Sequence, residues 1–178
     1  MNLVLSSPSW LTIPLILLIL AAAVEDALRL RISNVTCGLV FIGAFVAMAL
    51  HGLHLSYWQN AVVCIAILAL GTPAFAAGWL GGGDVKLLAA LGLWLDLHAA
   101  IAMITAVFIA GGLLAMVSIG ARRAGLWRRH LSSKESRIPY GVAIAAGALF
   151  VFGVQMRDRP NSVMQRLQEI DAQRHHTL

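Results

Sequence analysis

Formal charge is nearly absent from the first two thirds of this chain. Before Arg122 only Glu25, Asp26, Arg29, Arg31, Asp84, Lys86 and Asp96 carry it, and long apolar runs fill the rest. The whole chain of 178 residues is 60% hydrophobic and 12% charged, where a soluble domain runs near ~25% charged. The remaining charges lie in residues 122–137 and in the tail from Arg157. This describes a polytopic, all-α membrane protein. An integral membrane unit is expected over residues 1–156 and a polar tail over 157–178.

Six apolar runs are expected to be helical spans: residues 10–24, 35–53, 61–80, 85–95, 99–120 and 138–154. Pro14 falls in the first turns of its run, where proline is tolerated, and Pro73 is expected to kink the third. Ser33 or Asn34 is placed to cap the second span. The fourth run is the short one. Eleven residues of helix reach about 17 Å, against about 30 Å of hydrocarbon. In the tail, Val163, Leu167 and Ile170 share one face of a short amphipathic helix. The first ten residues hold no Lys or Arg, so the N-terminal run reads as a retained span rather than a signal peptide.

With six spans, the first, third and fifth connections share a side. They carry Arg29 and Arg31, then Lys86, then the basic segment 122–137, while the second and fourth carry no Lys or Arg. Basic loops stay inside, so these three face the cytoplasm and the N-terminus faces out. Without the fourth span the basic segment would fall opposite Arg29, Arg31 and Lys86. The net charge of +5 therefore reports orientation and lipid-headgroup contact, not nucleic acid.

Several chemistries lack their parts. Cys37 and Cys64 lie inside apolar runs with no paired-cysteine or Cys/His spacing, so they read as small buried hydrophobes. No H-E-x-x-H zinc motif and no G-x-S-x-G elbow occurs. No metal or cofactor is expected. His51 and His54 read as interfacial polar residues, and His175 and His176 as parts of a polar tail.

Asp26 ends a span running inward, and Asp84 begins one running outward. The two therefore sit at one depth, whichever way the protein faces. Paired carboxyl groups share a proton, so one can take a proton from water while the other polarises a carbonyl. Taken alone, Asp84 is equally an N-cap after the glycines, and Asp26 a juxtamembrane charge. Glu25 competes with Asp26, since one helical step of about 100° lets only one of them face Asp84. Paired acids also suit a proton-coupled carrier. Gly81, Gly82 and Gly83 permit positive φ and the close approach of another backbone, either to bind an unwound peptide or to shape the turn. Lys86 has two readings: support for the loop or an oxyanion, and a positive-inside anchor.

The string 81–87, G-G-G-D-V-K-L, resembles the G-x-G-D signature of intramembrane aspartic proteases and, at this length, the type IV prepilin peptidases. Asp26, Ile32 and Asn34 resemble that family's first aspartate segment, with Ser33 at the usual proline and Leu28 at a common arginine. Ile138-Pro139-Tyr140-Gly141-Val142-Ala143 resembles its proline-tyrosine-glycine segment. The resemblance implies an aspartic endopeptidase of the bacterial inner membrane, with Asp26 and Asp84 catalytic. It also implies a prepilin or pseudopilin substrate with a basic leader, a cut near the cytoplasmic face, and pilus assembly machinery and membrane lipids as partners. The bifunctional members carry a sizeable insertion after the first span, associated with N-methylation. Here only residues 27–34 lie there, so the chain resembles the short peptidases of tight-adherence (Flp-type) systems, and methyltransferase activity is not expected. A non-catalytic pilus-assembly scaffold retaining the fold is the remaining alternative.

Overall fold

The computed structural model describes residues 2–52, 56–123 and 140–157, with side chains up to 120 and again from 140. All regular structure among these residues is helical. The elements are α1 (Leu3–Ser6), α2 (Ser9–Arg29), α3 (Asn34–His51), α4 (Tyr57–Ala76), α5 (Gly82–Gly92) and α6 (Leu97–Arg123), then α7 (Tyr140–Arg157). Five of them, α2, α3, α4, α6 and α7, are long and apolar enough to cross a membrane. Leu17, Ile65, Leu70, Phe108 and Met116 are each more than half exposed. A soluble surface does not carry apolar side chains at this density, so these faces meet lipid.

The sixth expected span is α5, and it is as short as its sequence implies. It sits inside the others, with Val85, Leu87, Ala89, Ala90 and Leu91 buried. It runs antiparallel to α4, and glycines set the spacing. Gly82 lies against the Phe75 ring, Gly71 against Val85, and Gly92 against Val63 and Ile67. Small residues at such contacts let helix backbones approach where no hydrophobic force drives them together. Beyond α5 the chain turns through Leu93, Trp94 and Leu95, all buried. The Asn60 side-chain amide donates to the Leu93 carbonyl at 2.9 Å, and the Leu3 N–H donates to the Trp94 carbonyl at 2.9 Å. The Trp94 indole N–H donates to the Val40 carbonyl at 3.0 Å. The first two bonds satisfy carbonyls at the C-terminal end of α5, where a helix leaves its last groups without partners. They also place the end of α5 beside the starts of α1 and α4, opposite the end that carries Asp84.

Helices α6 and α7 form a second antiparallel pair, where a Cβ at Gly147 would lie 2.7 Å from the Val107 nitrogen. Asp96 caps α6 by accepting the Ala99 N–H at 2.9 Å.

Several boundaries differ from the sequence expectation. Helix α2 does not stop at the charges of residues 25 and 26 but runs to Arg29, because both acids have partners there. Helix α4 covers Tyr57–Ala76 rather than 61–80, and Pro73 falls in its last turn, where it ends the helix. Ser33 is the cap of α3, its hydroxyl accepting the Val35 N–H at 3.1 Å. The segment α1 was not expected. Asn2 caps it and also donates to Gln155 of α7 at 2.9 Å. The tail face of Val163, Leu167 and Ile170, His54 and most of the basic segment 122–137 lie outside the described residues.

Candidate active site

Asp26 is in the last turn of α2 and Asp84 in the first turn of α5. Both are buried, at 5% and 7% exposure, an environment that carboxyl groups enter only with partners. Both line one cleft of about 790 Å³. Two connections and the starts of two helices converge on this cleft. The α2–α3 link contributes Leu30, Arg31 and Ile32, the α4–α5 link residues 78–81, α5 its first residues Gly82 and Gly83, and α7 its first residue, Tyr140.

The α4–α5 link is built by its glycines, though not as expected. Gly81 is extended at φ −74°, and the positive φ falls at Gly78, at +75°. The Gly78 N–H donates to the Phe75 carbonyl at 2.9 Å and the Trp79 N–H to the Ala74 carbonyl at 2.9 Å. This is the Schellman arrangement that closes a helix on a left-handed glycine. Gly83 serves close approach instead. A Cβ there would lie 3.0 Å from the Ile32 Cβ and 3.2 Å from its carbonyl oxygen. The α2–α3 link can therefore pack directly on the start of α5. The Cys37 thiol donates to the Gly83 carbonyl at 3.7 Å. Leu30 holds the left-handed conformation at φ 52°, and its N–H closes α2 on the Asp26 carbonyl oxygen at 2.8 Å.

Each aspartate accepts a backbone N–H. Asp84 Oδ2 takes that of Gly81 at 3.1 Å. Asp26 Oδ2 takes that of Gly141 at 2.6 Å. Charge-assisted bonds to backbone N–H groups are short and about twice as strong as neutral ones. Gly141 was not singled out as a site residue. Its signal was its place in the 138–143 segment.

Glu25 is directed elsewhere. Its carboxylate accepts the Ser33 N–H at 2.9 Å and the Thr36 hydroxyl at 3.1 Å, joining α2 to the start of α3. It does not line the cleft. Lys86 is exposed and donates to the Asn34 side-chain oxygen at 2.9 Å. It too is absent from the cleft lining, so its contact steadies α5 against α3 and no observation supports an oxyanion role. Among the described residues no group of three or more His, Cys, Asp or Glu side chains is arranged to hold a metal ion.

Two buried carboxyl groups sharing a cleft cannot both ionise without cost, and a shared proton is the ordinary result. Such a pair is competent for general acid and base work on one substrate bond. Residues 12–116 match the type IV leader peptidase family. The match begins within α2, takes in α3 to α5 and both aspartates, and ends within α6, before α7. No curated protein and no solved structure matches the chain. Matching over more than half its length, the chain belongs to the type IV leader peptidase family, and with it to the peptidases that act on prepilin-type substrates.

Proposed function

We propose that this protein is an intramembrane aspartic endopeptidase that removes the basic leader from Flp-type prepilins at the cytoplasmic face of the bacterial inner membrane, using Asp26 and Asp84. One observation carries the reading: two buried carboxyl groups on separate helices line a single cleft. The ionised carboxylate takes a proton from water as the water oxygen bonds to the scissile carbonyl carbon. The protonated partner gives its proton to the carbonyl oxygen. A gem-diol results, and the two acids have exchanged roles. On collapse the C–N bond breaks and the newly protonated acid gives its proton to the departing nitrogen. A gem-diol hydroxyl returns a proton to the other acid, and the pair regains its starting state.

The short-peptidase reading is supported by the α2–α3 link. Helix α2 ends at Arg29 and α3 begins at Asn34, leaving no room for an inserted domain. The cytoplasmic side is supported by Arg29, Arg31 and Lys86 at the cleft end of the bundle, because basic residues are retained inside. The membrane peptidase unit is taken as residues 1–156, with 157–178 as a polar tail. The released pilin would pass to the pilus assembly machinery.

The test is cleavage of a membrane-inserted prepilin by the purified protein. Wild type is expected to release the leader, while Asp26→Asn and Asp84→Asn lose at least ~100-fold in rate, the scale of a lost general acid or base. Unchanged cleavage in either variant removes that residue from the mechanism. Absence of cleavage by wild type, with proton-coupled transport in its place, would reassign the acids to a carrier.

A further inference from the structure

Each aspartate is held by the backbone N–H of a glycine, from unrelated places in the chain, and Asp26 has the Val142 N–H beside it as a second donor. Asp84 is held by Gly81, three residues before it, and Asp26 by Gly141, 115 residues after it. In both cases the donor is the backbone N–H of a glycine at the start of a helix, and the acceptor is Oδ2. In both cases the glycine leaves no space for a side chain. A Cβ at Gly81 would lie 2.7 Å from Asp84 Oδ2, and one at Gly141 would lie 2.7 Å from Asp26 Cβ and 2.9 Å from its Oδ2. Neither glycine is required by backbone conformation. Gly81 is at φ −74°, and Gly141 lies in the first turn of α7, absent from the positive-φ glycines. Alanine is free to adopt both conformations. What it cannot do is occupy the space of the carboxyl group. The atoms nearest an added Cβ belong to the aspartates themselves: the end of the Asp84 side chain at Gly81, and at Gly141 the Asp26 Cβ, so that Gly141 also lets α7 approach α2.

We propose that Gly81 and Gly141 are a matched pair of positioning residues. Each anchors Oδ2 of one aspartate by its N–H, through a gap only glycine leaves, so that Oδ1 of each is the oxygen that meets water and the scissile carbonyl. The inference rests on the aspartate reading above and adds to it which oxygens react and what holds them. The first N–H groups of a helix have no partner within it, so each anchor uses a donor that would otherwise be orphaned in a buried place. Fixing one oxygen of each carboxyl group removes its rotation as a variable, leaving two oxygens to share the proton. Through Gly141, α7 becomes part of the site although it touches neither water nor substrate by this bond. Tyr140, beside it, lines the cleft.

The test uses the full chain in liposomes with a membrane-inserted prepilin. The variants are Gly81→Ala, Gly141→Ala and the control Gly153→Ala. Gly153 lies on the same helix as Gly141, and an added Cβ there meets nothing within 4 Å. Both site variants are expected to lose about 100-fold in kcat, as a displacement near 1 Å does, with KM within about threefold of wild type. Gly153→Ala should keep wild-type kcat and KM. Helix content and melting temperature are read alongside. If one site variant does not fold, the other carries the test, because the two glycines sit on different helices.

Wild-type kcat in either folded site variant overturns the paired anchor, as does a loss confined to KM. Asp26→Asn and Asp84→Asn in the same preparation separate the two levels. Dead aspartate variants with active glycine variants leave the protease reading standing and remove only the anchors. Active aspartate variants remove the protease reading itself.

Discussion

Glu25 and Asp26 are neighbours with opposite duties, and only their partners distinguish them. Glu25 joins α2 to α3 through Ser33 and Thr36, while Asp26 turns into the cleft. Glu25→Gln should therefore leave prepilin cleavage within about threefold of wild type. It should lower stability by about 1 kcal/mol, the order of one side-chain hydrogen bond, read as a lower melting temperature in detergent. Lost cleavage with unchanged melting would transfer the first acid to Glu25. The sequence carries the step of ~100° that separates the two directions, and so the rule that only one acid faces Asp84. It does not carry the rotation of α2 about its axis, which tertiary packing decides. Gly141 was hidden for a related reason. Its bond to Asp26 spans 115 residues, and no local pattern announces a contact at that distance. The depth shared by Asp26 and Asp84, by contrast, followed from counting apolar runs.

Helix α5 depends on α4 more than on its own eleven residues, a length at which isolated helices are marginal. The contact between the two is tightest at Gly71, where an added Cβ would lie 2.6 Å from Val85 Cγ1. Gly71→Ala should therefore force the hairpin apart, at about 1–3 kcal/mol for an overpacked interface. Val85→Ala alone should also destabilise, because it removes buried methyl groups. Combined, the two should recover much of the loss, since the alanine at 71 fills the space vacated at 85. Melting temperatures of the four proteins give the coupling directly, and strict additivity would show that the two positions do not meet. At this scale the long runs were legible because apolar runs of near twenty residues have few other uses. The segment α1 was not, being one turn of helix held by Trp94 and Gln155 rather than by any periodicity. The stop of α4 was misplaced because the apolar run continues to Leu80, whereas the helix ends where Pro73 and left-handed Gly78 close it.

Across the whole molecule, orientation turns on whether eleven residues suffice to change sides. Helix α5 is about 17 Å long by its rise per residue, well short of the hydrocarbon thickness of about 30 Å. It is not left to lipid, however. Its far turn is buried, and Asn60 and Leu3 satisfy the Leu93 and Trp94 carbonyls. Non-helical backbone is tolerated at membrane depth only when protein covers it in this way. The chain thus enters α5 at the aspartate end and leaves it beside the start of α4, as a crossing segment must. Charge counting likewise expects α5 to change sides, with the connections carrying Arg29, Arg31 and Lys86 together on one side. Which helix packs on which was beyond it, because lipid-facing and protein-facing apolar residues look alike in sequence. A labelling experiment separates the alternatives. With Cys37 and Cys64 replaced by alanine, Arg29→Cys and Leu97→Cys are introduced at exposed positions near opposite ends of the bundle. A membrane-impermeant maleimide should label Leu97→Cys in spheroplasts and Arg29→Cys only in inverted vesicles. Labelling of both from one side would mean that α5 returns the chain to the side it came from. A full exchange of sides would keep the six-span parity but move the aspartates to the outer face, away from a leader that stays in the cytoplasm.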